Sequence, residues 1–200
     1  YDKFTFIIDN YDNLPDVAVY TKCNIFQFIS QEEFNKILKK VEKKKEFTPL
    51  LTQNHKTYMP VCFYDTGGMY NEINNSWYLK HHPTKYFHNY DNFLRFCFKN
   101  PVIPRYIRFA PGANYIVPKQ NILKLPKIFY QNLRIFVSHS QLPGEAHIIE
   151  RALHTLWNCN FELNDQMLKL VDENFRAIPC KKTILAKRLK NKIIRFIIKY

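Results

Sequence analysis

Two glutamates in the second half of the chain are the residues best suited to acid–base chemistry. Glu150 lies between apolar residues with helical spacing, so its helix would be anchored while the carboxylate faces a cleft. A carboxylate in this position can accept the proton of a hydroxyl group as that oxygen attacks carbon. Glu145, near the start of the same helix, is the rival base. An ordinary surface glutamate that pairs with His154 one turn along is the alternative interpretation of Glu150.

Three arginines are candidates for binding an anionic group. Arg105 and Arg108 flank a strand that leads into the small-residue turn at positions 111–113, which includes Gly112 and Ala113, and Arg151 follows Glu150 directly. A guanidinium group donates two parallel hydrogen bonds, a geometry that matches the oxygens of a diphosphate. Solvated loop charges are the alternative for Arg105 and Arg108.

Ligands for a metal ion are poorly represented. No Asp-x-Asp pair follows an apolar strand, and the loop group His81, His82, His88 and Asp91 contains adjacent histidines, which rarely share one zinc ion. The sequence also lacks the motifs of serine hydrolases, P-loop proteins and dinucleotide-binding proteins. We therefore expect no metal and no other cofactor. Residues 64–68, YDTGG, are either a turn that touches a ligand or a plain Gly-Gly turn.

Composition predicts one folded domain with a basic appendage. Hydrophobic residues make up 46% of the 200 positions, which excludes an intrinsically disordered chain. The net charge is +13, and residues 181–200 contain eight Lys or Arg and no acid. We interpret residues 1–180 as the domain and residues 181–200 as an amphipathic helix that contacts an anionic membrane surface. Nucleic-acid binding, which only the net charge favours, is a weaker alternative.

The pattern of predicted elements is of the α/β type. Residues 4–8 alternate and are β-prone, and they form either a strand or a helix before a turn-rich loop. Residues 17–20 form a short buried strand, and Ser30 with Glu33 forms a capping box before a helix that ends near residue 45. Residues 46–104 are irregular and rich in aromatic residues, and they form either the walls of a ligand cleft or a locally packed insert.

The second half continues this alternation. We expect a turn and strand over residues 109–117, one or two helices over residues 119–137 with Pro126 at a helix start, and a helix over residues 146–156. A short helix is expected within residues 164–175. The five scattered cysteines contain no CxxC pair, which fits a reducing cytosol, and no run of 18 apolar residues is present.

Three phrases resemble a family of glycosyltransferase-like proteins that is catalogued as a domain of unknown function. Residues 7–16 read IIDNYDNLPD and precede VAVY, residues 111–117 read PGANYIV, and residues 150–153 read ERAL. The family's helix before the first phrase is truncated here, so part of the nucleotide-binding half is expected outside this sequence. Residues 150–156, ERALHTL, are also similar to a phrase of the metal-independent transferases that build branched glycans and add xylose.

These resemblances imply an α/β, GT-A-like domain that transfers a sugar from a nucleotide-sugar donor to a glycan or lipid-linked acceptor in cell-surface polysaccharide synthesis. Glu150 would be the catalytic base, with Gly112 and Ala113 near a sugar and with Trp77 stacking on a sugar ring. Arg105, Arg108 or Arg151 would offset the diphosphate charge, and no metal would be used. The expected location is the cytoplasmic face of the cytoplasmic membrane. The alternative is a non-catalytic binding or scaffold domain of a larger polysaccharide-synthesis protein.

Overall fold

The computed structural model describes residues 1–51, 55–176 and 192–194. Its α-helices are α1 (Asp2–Asp9), α2 (Gln31–Lys44), α3 (Tyr90–Cys97), α4 (Lys119–Ile122), α5 (Lys127–Val137) and α6 (Gly144–Asn158). Its strands are β1 (Val17–Tyr20), β2 (Thr48–Pro49), β3 (Cys62–Tyr64), β4 (Tyr70–Ile73), β5 (Tyr106–Phe109) and β6 (Tyr115–Pro118). Short 3-10 helices occur at Tyr11–Asn13, Ile25–Gln27, Trp77–His81 and Asp165–Met167.

The strands form two small antiparallel sheets. In the first sheet, β6 is the central strand and pairs with β1 on one side and β2 on the other. The second sheet is a meander in which β4 lies between β3 and β5. The predicted mixed α/β class is therefore confirmed at this level. The strand predicted at residues 17–20 is present as β1, and the turn and strand predicted over residues 109–117 are present, with the strand as β6.

Helix α6 connects the two sheets. It packs against β5 of the second sheet, against α3 and against α5. At its other end, Trp157 is fully buried and its ring stacks on Tyr20 of β1, with the ring centroids 5.7 Å apart. The indole N–H of Trp157 donates to the hydroxyl of Tyr130, 3.3 Å away. Because α6 contacts so many elements, side chains that leave it are held at defined positions.

The capping box before α2 is confirmed at its first residue. The hydroxyl of Ser30 accepts the backbone N–H of Glu33 at 3.2 Å, which satisfies one of the free amides of the first turn. The helix ends where Lys45 adopts the left-handed conformation, with φ at 51°. The expected apolar face packs on β6 and forms a second hydrophobic cluster around Val41, Leu50 and Ile116.

Of the two alternatives for residues 4–8, strand or helix, the structure has the helix, since these residues belong to α1. Phe4, Ile7 and Ile8 are buried, and Phe6 is exposed, which is the spacing of one helical face rather than strand alternation. All four residues have β-prone side chains, but packing against α5 decides the conformation.

Residues 46–104 are also more regular than predicted. They contain β2, β3, β4 and α3, and most of their aromatic side chains belong to the main core. Helix α3 begins after Asn89, whose side chain accepts the N–H of Asn92. Conversely, the short helix expected within residues 164–175 is reduced to the 3-10 turn Asp165–Met167.

The amphipathic helix predicted over residues 181–200 lies outside the described residues, apart from a helical segment at residues 192–194. None of the helices in the described ranges is both long and apolar enough to cross a membrane.

Candidate functional site

Glu150 lies at a cavity, and a backbone amide holds its carboxylate. Its Oε1 atom accepts the N–H of Gly112 at 2.5 Å, although the two residues are 38 positions apart. Its Oε2 atom is 3.7 Å from Nη1 of Arg151. The side chain is 24% exposed. One oxygen is therefore anchored, while the group as a whole stays accessible to a ligand.

The turn before β6 presents this amide. Gly112 and Ala113 both have positive φ angles, 84° and 57°. A Cβ atom on Gly112 would lie 2.8 Å from Cε of Lys22 and 2.9 Å from Nδ2 of Asn114, so the position accepts only glycine without a shift of neighbours. The side chain of Asn114 fixes the turn by donating to the carbonyl of Pro111 and accepting the N–H of Lys22.

Two lysines lie beside Glu150. The Nζ atom of Lys3, on α1, donates to the carbonyl of Ala113 at 3.2 Å. Burial lowers the pKa of Lys3 to about 8, the nearby carboxylate of Glu150 opposes this shift, and Lys22 adds to it. Lys3 is therefore a cation that loses its charge close to neutral pH, next to a carboxylate.

The cavity at these residues measures 270 Å³. Its charged and polar lining consists of Tyr1, Lys3, Lys22, His147 and Glu150. The rest of the wall is mainly apolar and comes from α1, α5, α6 and the segment before α6: Phe4, Val137, Leu142, Ala146, Ile149 and Leu153. This volume lies just below the usual range of small-molecule pockets, about 300–1,000 Å³, so the cavity itself would receive part of a ligand as large as a nucleotide sugar.

The three arginines do not line this cavity. Arg151 is buried and donates two hydrogen bonds to the carboxylate of Glu72, at 2.9 and 3.0 Å, and its guanidinium carbon lies 3.6 Å from the centre of the Tyr78 ring. Burial disfavours the charge of Arg151, but Glu72 outweighs burial and raises the pKa. Arg108 pairs with Asp65 at 2.8 Å, and Arg105 is exposed beside the ring of Tyr106.

The residues 64–68 form the turn that joins β3 to β4. One carboxylate oxygen of Asp65 accepts the N–H groups of Gly67 and Met69, and the other accepts Nε of Arg108. Burial alone would raise the pKa of Asp65, but its hydrogen bonds from Asn71, Met69 and Arg108 lower it. This side chain organises the hairpin.

Glu145, the rival base, is fully buried. One oxygen accepts the backbone N–H groups of Lys85, Tyr86 and Phe87, and the other lies 2.8 Å from Nε2 of His139. One oxygen therefore holds residues 85–87 against the start of α6, and the other is engaged by His139. The arrangement stabilises the fold and leaves no oxygen for a substrate.

Trp77 is half-buried in the 3-10 helix Trp77–His81 and packs against the core, outside the lining of the cavity. Nearby, the rings of His82 and His147 lie 3.9 Å apart. Burial lowers the pKa of His147, and His82 and Arg151 lower it further. Within residues 1–51, 55–176 and 192–194, no group of three or more His, Cys, Asp or Glu side chains is arranged to hold a metal ion.

Sequence reasoning missed Lys3, Lys22 and Glu72. Lys3 lies on the edge of the buried face of α1, so the helical alternative for residues 4–8, extended by one residue, places it at the core boundary. No local sequence pattern indicates Lys22 or Glu72. The fold alone brings Lys22 next to Gly112 and Glu72 next to Arg151.

Residues 3–176 match a protein family described as "Protein of unknown function (DUF3431)", and the chain belongs to this family. Neither the curated proteins nor the solved structures contain a match to the chain.

Proposed function

We propose that this protein is a glycosyltransferase with a GT-A-like domain, which moves a sugar from a nucleotide-sugar donor to a glycan or lipid-linked acceptor without a metal ion. One observation carries the proposal: Glu150 and the Gly112–Ala113 turn, the two features that the resemblance assigns to the site, meet at one cavity.

In the proposed reaction, Glu150 removes the proton of an acceptor hydroxyl through Oε2, because Oε1 is held by Gly112. The acceptor oxygen attacks the anomeric carbon of the donor sugar. The bond between that carbon and the diphosphate oxygen breaks, and its electron pair leaves with the nucleoside diphosphate. General base catalysis of this kind contributes roughly 10²- to 10⁴-fold to the rate.

The positive charge that faces the leaving diphosphate is assigned to Lys3 and Lys22. Both line the cavity, and both are close enough to Glu150 or Gly112 to act at the same centre. Arg151 is paired with Glu72, and neither Arg105 nor Arg108 lines the cavity. The basic residues 181–200 would hold the enzyme at an anionic membrane surface.

The test is Glu150→Gln, which keeps the side-chain shape and removes the base. We expect wild-type protein to release nucleoside diphosphate from at least one donor in a panel of nucleotide sugars and acceptors. The variant should be at least 100-fold slower, with unchanged thermal stability. Glu42→Gln, on the exposed face of α2, is the matched control and should keep full activity.

Three other results would be informative. Full activity of Glu150→Gln would remove Glu150 from the mechanism. Binding of a nucleotide sugar without turnover would favour the scaffold alternative. If no donor in the panel is turned over or raises the melting temperature of the wild type, the proposed function is wrong.

A further inference from the structure

The carboxylate of Glu150 lies within an apolar stripe of α6. Ala146, Ile149 and Leu153 line the cavity together with Glu150. Positions 146, 149, 150 and 153 have the i, i+3, i+4, i+7 spacing of one helical face, so these four side chains leave the helix on the same side. A ligand group that reaches Glu150 is therefore in contact with apolar side chains one helical turn away in both directions.

The apolar wall continues from this stripe to the protein surface. Leu142, in the segment before α6, lines the cavity, yet it is 59% exposed. Ala146 is half-buried and lies one helical turn, about 5.4 Å, before Glu150. Phe4 of α1 and Val137 at the end of α5 are buried and complete the wall. An apolar path therefore leads from the carboxylate past Ala146 to an exposed leucine.

A ligand that fits this path has one polar end and one apolar end. At the inner end, the N–H of Gly112 holds Oε1 of Glu150, and Oε2 is the oxygen that a hydroxyl group can reach. Along the path, each methylene group that leaves water for the apolar wall favours binding roughly fourfold. The cavity measures 270 Å³, so a longer chain would fill it with its first carbons and leave past Leu142.

We propose that this cavity binds an amphiphilic alcohol, with a hydroxyl group at Glu150 and an alkyl or prenyl chain along Ala146 and Leu142. The inference rests on the proposed function in that the alcohol is the acceptor of the transfer, which makes the acceptor lipid-linked rather than a free glycan. A free glycan carries hydroxyl groups along its whole length, and those that face this wall would lose their hydrogen bonds to water without replacement.

The probes are the methyl, butyl and octyl glycosides of glucose, galactose and mannose, used with the full chain below the concentrations at which they form micelles. Calorimetry measures their binding without a donor, and release of nucleoside diphosphate measures transfer. We expect the affinity, and kcat/KM where transfer occurs, to rise about tenfold or more from methyl to butyl. The gain from butyl to octyl should be smaller, because the outer carbons lie beyond the cavity.

Leu142→Asp is the variant that tests the path. Its side chain is already exposed, so the fold should persist. A carboxylate there has to stay hydrated, which should reduce the ratio of butyl to methyl glycoside affinity about fivefold or more. Leu168→Asp, at a leucine that is 53% exposed and does not line the cavity, is the matched control and should keep the wild-type ratio.

The outcomes separate this inference from the proposed function. Transfer with equal kcat/KM for methyl and butyl glycosides, or a preference that Leu142→Asp leaves intact, overturns the amphiphilic ligand and leaves the transferase standing. Chain-length-dependent binding that Leu142→Asp weakens, without transfer from any donor, supports the ligand and counts against the transferase. If neither binding nor transfer depends on the chain, for instance because another part of the protein fills the path, the inference is wrong.

Discussion

Gly112 shapes the candidate site through its backbone alone. Its positive φ angle turns the N–H towards Glu150, and its missing side chain makes room for Lys22. The same residue therefore orients the Glu150 carboxylate and leaves room for a lysine side chain next to it. This dual constraint explains why the small-residue turn was informative in the sequence although it contains no reactive group.

We predict that Gly112→Ala lowers the free energy of unfolding by about 1–3 kcal/mol, because the new Cβ atom adds both backbone strain and a close contact. Gly67→Ala is the control, since its Cβ atom would stay 3.3 Å or more from its neighbours and its φ is not positive. Urea denaturation measures both. Equal stability of the two variants would show that the turn is not constrained as described.

At the scale of elements, the pair Glu72–Arg151 fixes α6 against the second sheet. Glu72 belongs to β4 and Arg151 to α6, and both side chains are at most 10% exposed. The guanidinium group also lies between the rings of Tyr78 and Phe109. Because Glu150 is the neighbour of Arg151, this contact sets the direction in which the candidate base leaves the helix.

Removing one partner of this pair should be costly. We expect Glu72→Gln to lower the free energy of unfolding by about 3–5 kcal/mol, because Arg151 would remain buried without its counter-charge. The double variant Glu72→Leu with Arg151→Met should recover much of the loss in a double-mutant cycle. Lys36→Gln breaks the exposed pair with Glu32 and should change little. A small effect of Glu72→Gln would show that the pair does not hold α6 in place.

At the scale of the whole molecule, buried titratable side chains make the free energy of unfolding depend on pH. Burial, with a smaller contribution from Arg108 and against the effect of Asp65, lowers the pKa of His154 to about 4. As the pH falls from 6.5 to about 4, His154 therefore becomes protonated in the unfolded chain at a higher pH than in the folded chain. Stability must fall as the pH falls through that range.

His154→Gln should remove this part of the acid sensitivity. The free energy of unfolding of the wild type should drop by about 2–3 kcal/mol more than that of the variant between pH 6.5 and 4. Chemical denaturation at several pH values gives the difference curve. Parallel curves for the two proteins would contradict the burial of His154.

The titration of Lys3 also makes the free energy of unfolding rise with pH, here in the alkaline range. Its folded pKa is about 8 against an ordinary value of 10.5, so the unfolded chain keeps the proton longer and stability rises between these two pH values. Burial raises the pKa of tyrosines such as Tyr115 and Tyr130, which lowers stability above pH 10. Comparison with Lys3→Met isolates the lysine contribution. The prediction is contradicted if the free energies of unfolding of the wild type and of Lys3→Met differ by the same amount at pH 8 and at pH 10.

Local patterns in the sequence were sufficient to predict a helix, strand or cap wherever its conformation depends mainly on residues close by in the chain. The capping residue of α2, the strand at residues 17–20, the helix start at Pro126 and the apolar spacing of α6 were all predicted, because backbone hydrogen bonding and side-chain periodicity act over a few residues. The mixed α/β class follows from these elements, and so does the position of Glu150 on a core-anchored helix.

The tertiary structure alone decided which side chains meet. Contacts between Lys3 and Ala113, between Glu72 and Arg151, and between Gly112 and Glu150 join residues 110, 79 and 38 positions apart. It also turned residues 4–8 from a β-prone segment into α1, because burial against α5 outweighs local preference. Charge pairing and close packing depend on distances in space, which no periodicity in a single sequence records.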